Sequence, residues 1–139
     1  MNFVSKHYLL DFRGCLCPAV LLNNVPSVIT ALHEAANRSQ CLITGVVSEE
    51  LQPYGLSVIM GLKESHISVH TFPQSDSVFI DFFTCGTLTS PERGVKYLKH
   101  TFRPDLKKSF IRLIRRGDNV DEQTTEKEER SSTKASKDS

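Results

Sequence analysis

Apolar residues recur along this chain with two different periods, which predict the order of its strands and helices. Spacings of three to four residues predict helices over residues 18–38 and from Ser90 to about residue 102. Pro26 should kink or split the first helix, because proline removes a backbone donor. Short apolar runs rich in β-branched and aromatic residues predict strands at 6–13, 41–47, 56–62, 67–72 and 78–84, and a further alternation predicts one at 107–115.

Turn signals between the central runs indicate how these strands connect. Gly55, Lys63-Glu64 and the polar stretch 73–77 bound successive runs, which favours an antiparallel meander. Ser90 is a good N-cap and Pro91 suits the first helical position. Strands interspersed with two helices predict an α+β fold, a two-layer α/β sandwich in which both helices cover one face of a mainly antiparallel sheet.

Composition predicts one globular domain over residues 1–117. Residues 118–139 carry seven acids and four bases with almost nothing apolar, so we expect a disordered charged tail. No apolar run approaches the roughly 20 residues of a membrane helix. The first residues also lack the pattern of a signal peptide. We therefore expect a cytoplasmic protein with no membrane partner.

The cysteine spacing and a basic stretch could each have indicated a binding site, for a metal and for nucleic acid respectively, but neither fits the pattern of such a site. The cysteines should be reduced thiols, and the Cys15-Leu16-Cys17 spacing lacks the two-residue gap of common zinc sites, so we predict no metal. Residues 96–116 are rich in lysine and arginine but contain no aromatic-rich nucleic-acid motif. This basic stretch is therefore interpreted as a solvated face, and we predict no nucleic-acid partner.

Two motifs carry the candidate chemistry. Residues 64–73 read Glu-Ser-His-Ile-Ser-Val-His-Thr-Phe-Pro, and residues 81–86 read Asp-Phe-Phe-Thr-Cys-Gly. Together they closely resemble the motifs of bacterial S-adenosylmethionine decarboxylase, a self-cleaving enzyme. The resemblance extends from about Lys6 to Gly117 and includes the segment Pro-Tyr-Gly-Leu-Ser at 53–57.

The resemblance implies a role for each matching residue. The peptide bond between Glu64 and Ser65 corresponds to the self-cleavage site, and Ser65 to the precursor of a pyruvoyl group. His70 matches the base that takes the α-proton of Ser65 during processing, and Ser57 a serine that assists processing. Cys85 matches the general acid that returns a proton to the product.

The implied chemistry is physically coherent. Decarboxylation of an amino acid needs an electron sink, which a Schiff base to a carbonyl cofactor provides. A pyruvoyl ketone does this without pyridoxal phosphate, in keeping with the absence of a phosphate-cradling glycine loop. The resemblance further implies a small-molecule substrate, the supply of the aminopropyl donor for spermidine, and a homodimer of cleaved protomers.

Strand register gives a second, partial argument. A two-residue loop at Lys63-Glu64 would place Ser57 opposite His70, and a five-residue loop at 73–77 would place Cys85 opposite Ser65. Strict alternation nevertheless puts Ser65 and His70 on opposite faces. A bulge or twist near the cleavage site is therefore expected to rotate one of them.

Three alternatives stay open. Leu51 and Gln74 stand where the family has an aromatic ring and an acidic residue that hold the nucleoside, so a free basic amino acid such as ornithine or arginine is a second candidate substrate, with Glu49 and Glu50 available to pair with its distal cation. A third hypothesis for the function is a non-catalytic regulatory homologue. Taken singly, Ser65 is typical of a turn, His70 of a partly buried strand and Cys85 of a small apolar filler.

Overall fold

A computed structural model describes residues 5–117 and contains six strands and two α-helices. The predicted tail at 118–139 lies outside the described residues. None of the helices in the described part is long and apolar enough to cross a membrane. In chain order the elements are β1 Ser5–Phe12, α1 Val25–Arg38, β2 Ile43–Glu50, β3 Leu56–Leu62, β4 Ser65–Phe72, β5 Ser77–Cys85, α2 Pro91–Phe102 and β6 Phe110–Arg116, with 3-10 turns at Leu21–Asn23 and Pro73–Ser75.

All six strands form one antiparallel sheet in the order β2-β3-β4-β5-β1-β6. The first four in that order follow the chain, which confirms the predicted meander. β1 pairs with β5, and β6 pairs with β1 and forms the other edge of the sheet. Both helices pack against the sheet and against each other, which confirms the α+β sandwich.

The two faces of the sheet differ in what covers them. On one face alternate side chains such as Leu10, Ile67 and Phe82 are fully buried against the helices. At Gly94 of α2 the helices approach so closely that an added Cβ would lie 2.8 Å from the carbonyl oxygen of Ala35. No helix within residues 5–117 covers the other side, here called the open face. It carries partly exposed residues that include His7, Ser57, Ile59, His66, Ser68, His70, Asp81, Phe83 and Cys85.

The helix predicted over 18–38 is wrong in its first part. Residues 18–24 hold only a 3-10 turn, and α1 begins at Val25 with Pro26 in its first turn. There the missing N–H of proline would have had no intrahelical partner. Asn24 is the N-cap, and its side-chain oxygen accepts a hydrogen bond from the Ser27 N–H at 2.9 Å. Pro26 therefore starts the helix and does not kink it.

The start of α2 agrees with the sequence in position but not in detail. The helix begins at Pro91 and Ser90 occupies the N-cap, as predicted. The hydroxyl of Ser90, however, makes no capping hydrogen bond. Its backbone N–H donates to the carbonyl oxygen of Ser39 at 2.8 Å. Ser90 thus joins the helix start to the end of α1.

The register prediction is half right. Lys63 and Glu64 form the two-residue loop, and Ser57 pairs with His70. The next loop has four residues, not five, because Phe72 pairs with Ser77. Continued along β5, this register sets Cys85 level with Glu64, so the predicted pairing with Ser65 is wrong by one residue. The expected bulge is also absent from the β3–β4 ladder, whose register is unbroken from Ser57 to Leu62.

Candidate active site

The peptide bond between Glu64 and Ser65 lies at the tip of the β3–β4 hairpin. Glu64 has a φ of +64°, a left-handed conformation that a residue with a Cβ adopts at a cost of about 1–3 kcal/mol. Ser65 is half-buried, and its hydroxyl donates to the carbonyl oxygen of Lys63 at 3.1 Å. The sequence-predicted nucleophile thus lies in a strained turn directly beside the peptide bond it would attack.

Cys85 lies at the end of β5, close to this turn. Burial raises the pKa of its thiol, the nearby carboxylate of Glu64 raises it further, and the guanidinium of Arg116 acts in the opposite direction. Because the net shift is upward, the thiol is protonated near neutral pH. A protonated thiol is suited to donating a proton. Glu64, Ser65 and Cys85 form what we call the cleavage group.

Ser57 and His70 form a second group on the open face. They are cross-strand partners, and Ser57 Oγ lies 2.8 Å from His70 Nδ1. Ser57 is half-buried and His70 is exposed. The hydrogen bond orients the imidazole and engages Nδ1, which leaves Nε2 as the ring nitrogen available for proton transfer. We call these two residues the imidazole group.

A single chain does not bring the cleavage group and the imidazole group together. His70 lies five positions after Ser65 along β4, a distance of about 16 Å at the usual rise of a strand. The two side chains also alternate to opposite sides of the strand. Within one chain, the strand pairing therefore holds Ser57 and His70 together but apart from Ser65.

The predicted substrate-binding residues lie at the same end of the sheet as the imidazole group. Leu51 directly follows β2, and its N–H donates to the carbonyl oxygen of Gly55 at 2.9 Å. Gln74 lies in the 3-10 turn after β4 and, with Tyr54, lines a cavity of about 390 Å³. Glu49 pairs with Ser57 on the edge strand and is exposed. Glu50 follows it and is exposed too.

Sequence reasoning missed a further cluster on the open face. His7 Nε2 is hydrogen-bonded to Asp81 Oδ1, and His66 Nε2 lies 3.8 Å from the same oxygen. Phe83 is the cross-strand partner of both histidines, with ring centroids 5.4 and 5.7 Å from theirs. These residues are distant in sequence. Only the pairing of β1, β4 and β5 could have revealed them.

Comparisons with known proteins agree with this fold and these motifs. A family model described as S-adenosylmethionine decarboxylase matches residues 6–117. The chain is 34% identical over 111 residues to S-adenosylmethionine decarboxylase proenzyme 2 of Bacillus cereus, covering 80% of this chain and 88% of that protein. It is 37% identical over 102 residues to the S-adenosylmethionine decarboxylase proenzyme of Acidithiobacillus ferrooxidans, covering 73% and 75%.

A solved structure extends the comparison to the fold. The crystal structure of the adenosylmethionine decarboxylase from Aquifex aeolicus superposes with a TM-score of 0.75, covering 86% of this chain and 95% of that one. The sequence identity is 23%. The shared architecture therefore includes nearly the whole of that protein.

Proposed function

Because this chain belongs to the S-adenosylmethionine decarboxylase family, we propose that it cleaves itself between Glu64 and Ser65 and then decarboxylates S-adenosylmethionine. The family match at residues 6–117 includes both motifs. The observation that carries the proposal is the placement of the Glu64–Ser65 bond in a strained hairpin turn with a protonated thiol beside it. The product would be the aminopropyl donor for spermidine.

Processing requires chemistry that Ser65 and His70 can supply. The hydroxyl of Ser65 attacks the carbonyl carbon of Glu64, and the peptide bond is exchanged for an ester. His70 removes the α-proton of Ser65, which expels the Glu64 carboxylate and leaves a dehydroalanine. Hydrolysis of its tautomer releases ammonia and gives a pyruvoyl group at the new N-terminus. Ser57 holds the imidazole in the orientation for this proton transfer.

The residues around Ser65 fit a pyruvoyl group. Ser65 is half-buried at the first position of a strand, which suits a small ketone at a new chain end. Because a pyruvoyl group has no phosphate, it needs no cationic side chains beside it to bind one. Its carbonyl supplies an electron sink for the carbanion left when carbon dioxide departs. Cys85, protonated near neutral pH, returns a proton to that carbon.

The active enzyme is proposed to be a homodimer of cleaved protomers, in which each site combines two chains. The cleavage group and the imidazole group are about 16 Å apart along β4. A second chain, packed on the open face and related by a two-fold axis, could bring its Ser57 and His70 to the hairpin tip at the margin of that face, where the Glu64–Ser65 bond of the first chain lies. The open face also exposes apolar residues that such packing would bury, among them Val47 and Ile59, which are 71% and 52% exposed.

The protein is proposed to act in the cytoplasm. Cys15, Cys17, Cys41 and Cys85 are all free thiols, a state that the cytosol preserves.

A basic amino acid stays the second candidate substrate. Leu51 offers no ring for stacking on an adenine, and loss of such stacking costs about 1–3 kcal/mol per base in nucleic-acid sites. Gln74 can hydrogen-bond a ribose but carries no charge. The exposed carboxylate of Glu49, next to Ser57, could instead pair with the distal cation of ornithine or arginine.

Two measurements test the proposal. On a denaturing gel, the purified protein should give fragments of 64 and 75 residues, while the Ser65→Ala chain should stay intact. An uncut wild-type chain would favour the non-catalytic homologue. Carbon dioxide release from S-adenosylmethionine, ornithine and arginine, measured in parallel, identifies the substrate, and light scattering gives the mass of the assembly.

A further inference from the structure

The cluster of His7, His66 and Asp81 plays no part in the proposed reaction, yet it brings three metal-ligating side chains together from three strands. The ligand atoms, an imidazole nitrogen from each histidine and a carboxylate oxygen, all lie within 4.8 Å of one another. β1 supplies His7, β4 supplies His66, and β5 supplies Asp81. Because three adjacent strands hold the residues, the ladder fixes their relative positions.

We propose that His7, His66 and Asp81 bind a divalent transition-metal ion, with Zn²⁺ the best match. Two imidazoles and one carboxylate suit zinc, which commonly keeps a further position for water. Mg²⁺ and Ca²⁺ are poor candidates because both prefer oxygen ligands throughout. The proposal concerns a site different from the one that carries out cleavage and decarboxylation.

Distances within the cluster support a shared ion. His66 Nε2 lies 3.8 Å from Asp81 Oδ1, which is too far for a hydrogen bond. A tetrahedral ion with bonds of about 2.0–2.1 Å holds its ligand atoms about 3.3 Å apart. A movement of a few tenths of an ångström would therefore bring His66 and Asp81 to bonding positions. His7, now hydrogen-bonded to Asp81, would exchange that bond for the metal.

The surroundings orient the ligands and leave a path for entry. Phe83 packs edge-on against His7 and in a tilted contact against His66, which restricts both rings. The side chains of His66 and Asp81 are each 41% exposed, while that of His7 is 16% exposed. In the single chain an ion can thus reach the cluster from the open face, and in the proposed dimer an ion bound there would lie between the two sheets. Since His66 directly follows Ser65, an ion bound by His66 and His7 would link the cleavage turn to β1.

Titration of the metal-free protein with ZnCl₂, followed by calorimetry, tests the proposal. The full-length Ser65→Ala chain should be used beside the wild type, so that the result does not depend on self-cleavage. We expect one Zn²⁺ per chain in both, no binding of Mg²⁺, and at least about tenfold weaker Zn²⁺ binding in His66→Gln and Asp81→Asn. His100→Gln, which removes an exposed histidine of α2, is the matched control and should bind like the parent.

Cobalt gives a readout of the ligands themselves. Co²⁺ bound at the cluster should show visible absorption of a low-coordinate site without the near-ultraviolet charge-transfer band of thiolate ligation. Loss of the visible band in His7→Gln, with an unchanged far-ultraviolet circular dichroism spectrum, would support the assignment. Absence of Zn²⁺ binding, equal affinity in His66→Gln, or a thiolate band that signals cysteine ligands would each overturn it.

Discussion

The two ends of strand β4 have different chemical capabilities. At its start, the cleavage group combines a strained turn, a hydroxyl and a protonated thiol, but no imidazole bonded to that hydroxyl. Towards its end, the imidazole group holds a hydrogen-bonded histidine, but the predicted cleavage site lies at the other end of the strand. Each end lacks what the other provides. The two ends of β4 therefore carry complementary groups, which in the proposed function form one site between two chains.

The difference also separates the two stages of the reaction. In the proposed mechanism, processing uses Ser65 from one end and His70 from the other, whereas protonation of the product uses Cys85 beside the new chain terminus. The predicted substrate-binding residues, Leu51 and Gln74, lie at the imidazole end. In the proposed two-fold assembly, one chain would supply Ser65 and Cys85 to each site, and its partner would supply the imidazole group and the predicted substrate-binding residues.

The strongest test of this division is complementation between two inactive chains. Ser65→Ala and His70→Ala should each stay uncut when expressed alone. When they are expressed together with different tags, the mixed dimer contains one intact composite site. We expect the His70→Ala chain to be cleaved and the Ser65→Ala chain to remain whole, as read by mass spectrometry.

A control pair of chains tests whether cleavage in the mixed dimer requires an intact imidazole group in one partner. Two differently tagged His70→Ala chains expressed together remove the imidazole from both partners, so cleavage should not return. If the His70→Ala chain stays uncut beside Ser65→Ala in a verified mixed dimer, the site is formed within one chain and the composite arrangement is wrong.

Replacement of Cys85 should affect turnover far more than processing. Proton transfer by a positioned group typically contributes about 10² to 10⁴ in rate, so Cys85→Ala should lower kcat by that factor while the chain still separates into two fragments. Cys41→Ala, which removes a half-buried thiol elsewhere, is the control. An equally severe loss of cleavage in Cys85→Ala would assign the thiol to the first stage instead.

Ser57 should have a smaller effect, on processing alone. Its hydroxyl makes one hydrogen bond to His70, and such bonds contribute about 0.5–1.5 kcal/mol. Ser57→Ala should therefore slow cleavage roughly 2–10-fold in a time course on denaturing gels. Ser68→Ala removes another serine of the open face and should cleave at the wild-type rate. Equal slowing in both variants would contradict an orienting role for Ser57.

Much of the fold could be predicted because local signals agreed with one another. The strand at Leu56–Leu62 has the predicted bounds, since its apolar run is closed by Gly55 on one side and Lys63-Glu64 on the other. The first helix failed because apolar spacing continued through residues 18–24, where Asn24 and Pro26 set a later start. Capping chemistry outweighed periodicity there.

The error in the predicted pairing of Cys85 came from the loop after β4, whose length the hydrophobic periodicity does not determine. The loop after β4 contains a 3-10 turn closed by Asp76 at a φ of +49°, which makes it one residue shorter than predicted. A one-residue change in register moves every later pairing. The roles of Ser65, His70, Cys85 and Ser57 stay predictions. A site shared between two chains could not be derived from the spacing within one.

The smallest expected effect tests whether Cys85 belongs to the cleavage end. Glu64 raises the pKa of its thiol and Arg116 lowers it, so opposite substitutions should move its reactivity in opposite directions. In the uncut Ser65→Ala chain, Glu64→Gln should increase the thiolate fraction at pH 8 and speed alkylation of Cys85 by iodoacetamide. Arg116→Gln should slow it. Because charges near a surface are well screened, we expect changes of at most about fivefold.

Mass spectrometry of the peptide that contains Cys85 separates this reaction from alkylation of the other thiols. Arg112→Gln is the matched control, since Arg112 lies on the same strand and face as Arg116 but pairs with Leu9, away from Cys85. It should leave the alkylation rate unchanged. Equal rates in Glu64→Gln and its parent would mean that the turn carboxylate does not act on the thiol, and the cleavage group would lose Cys85 as a member.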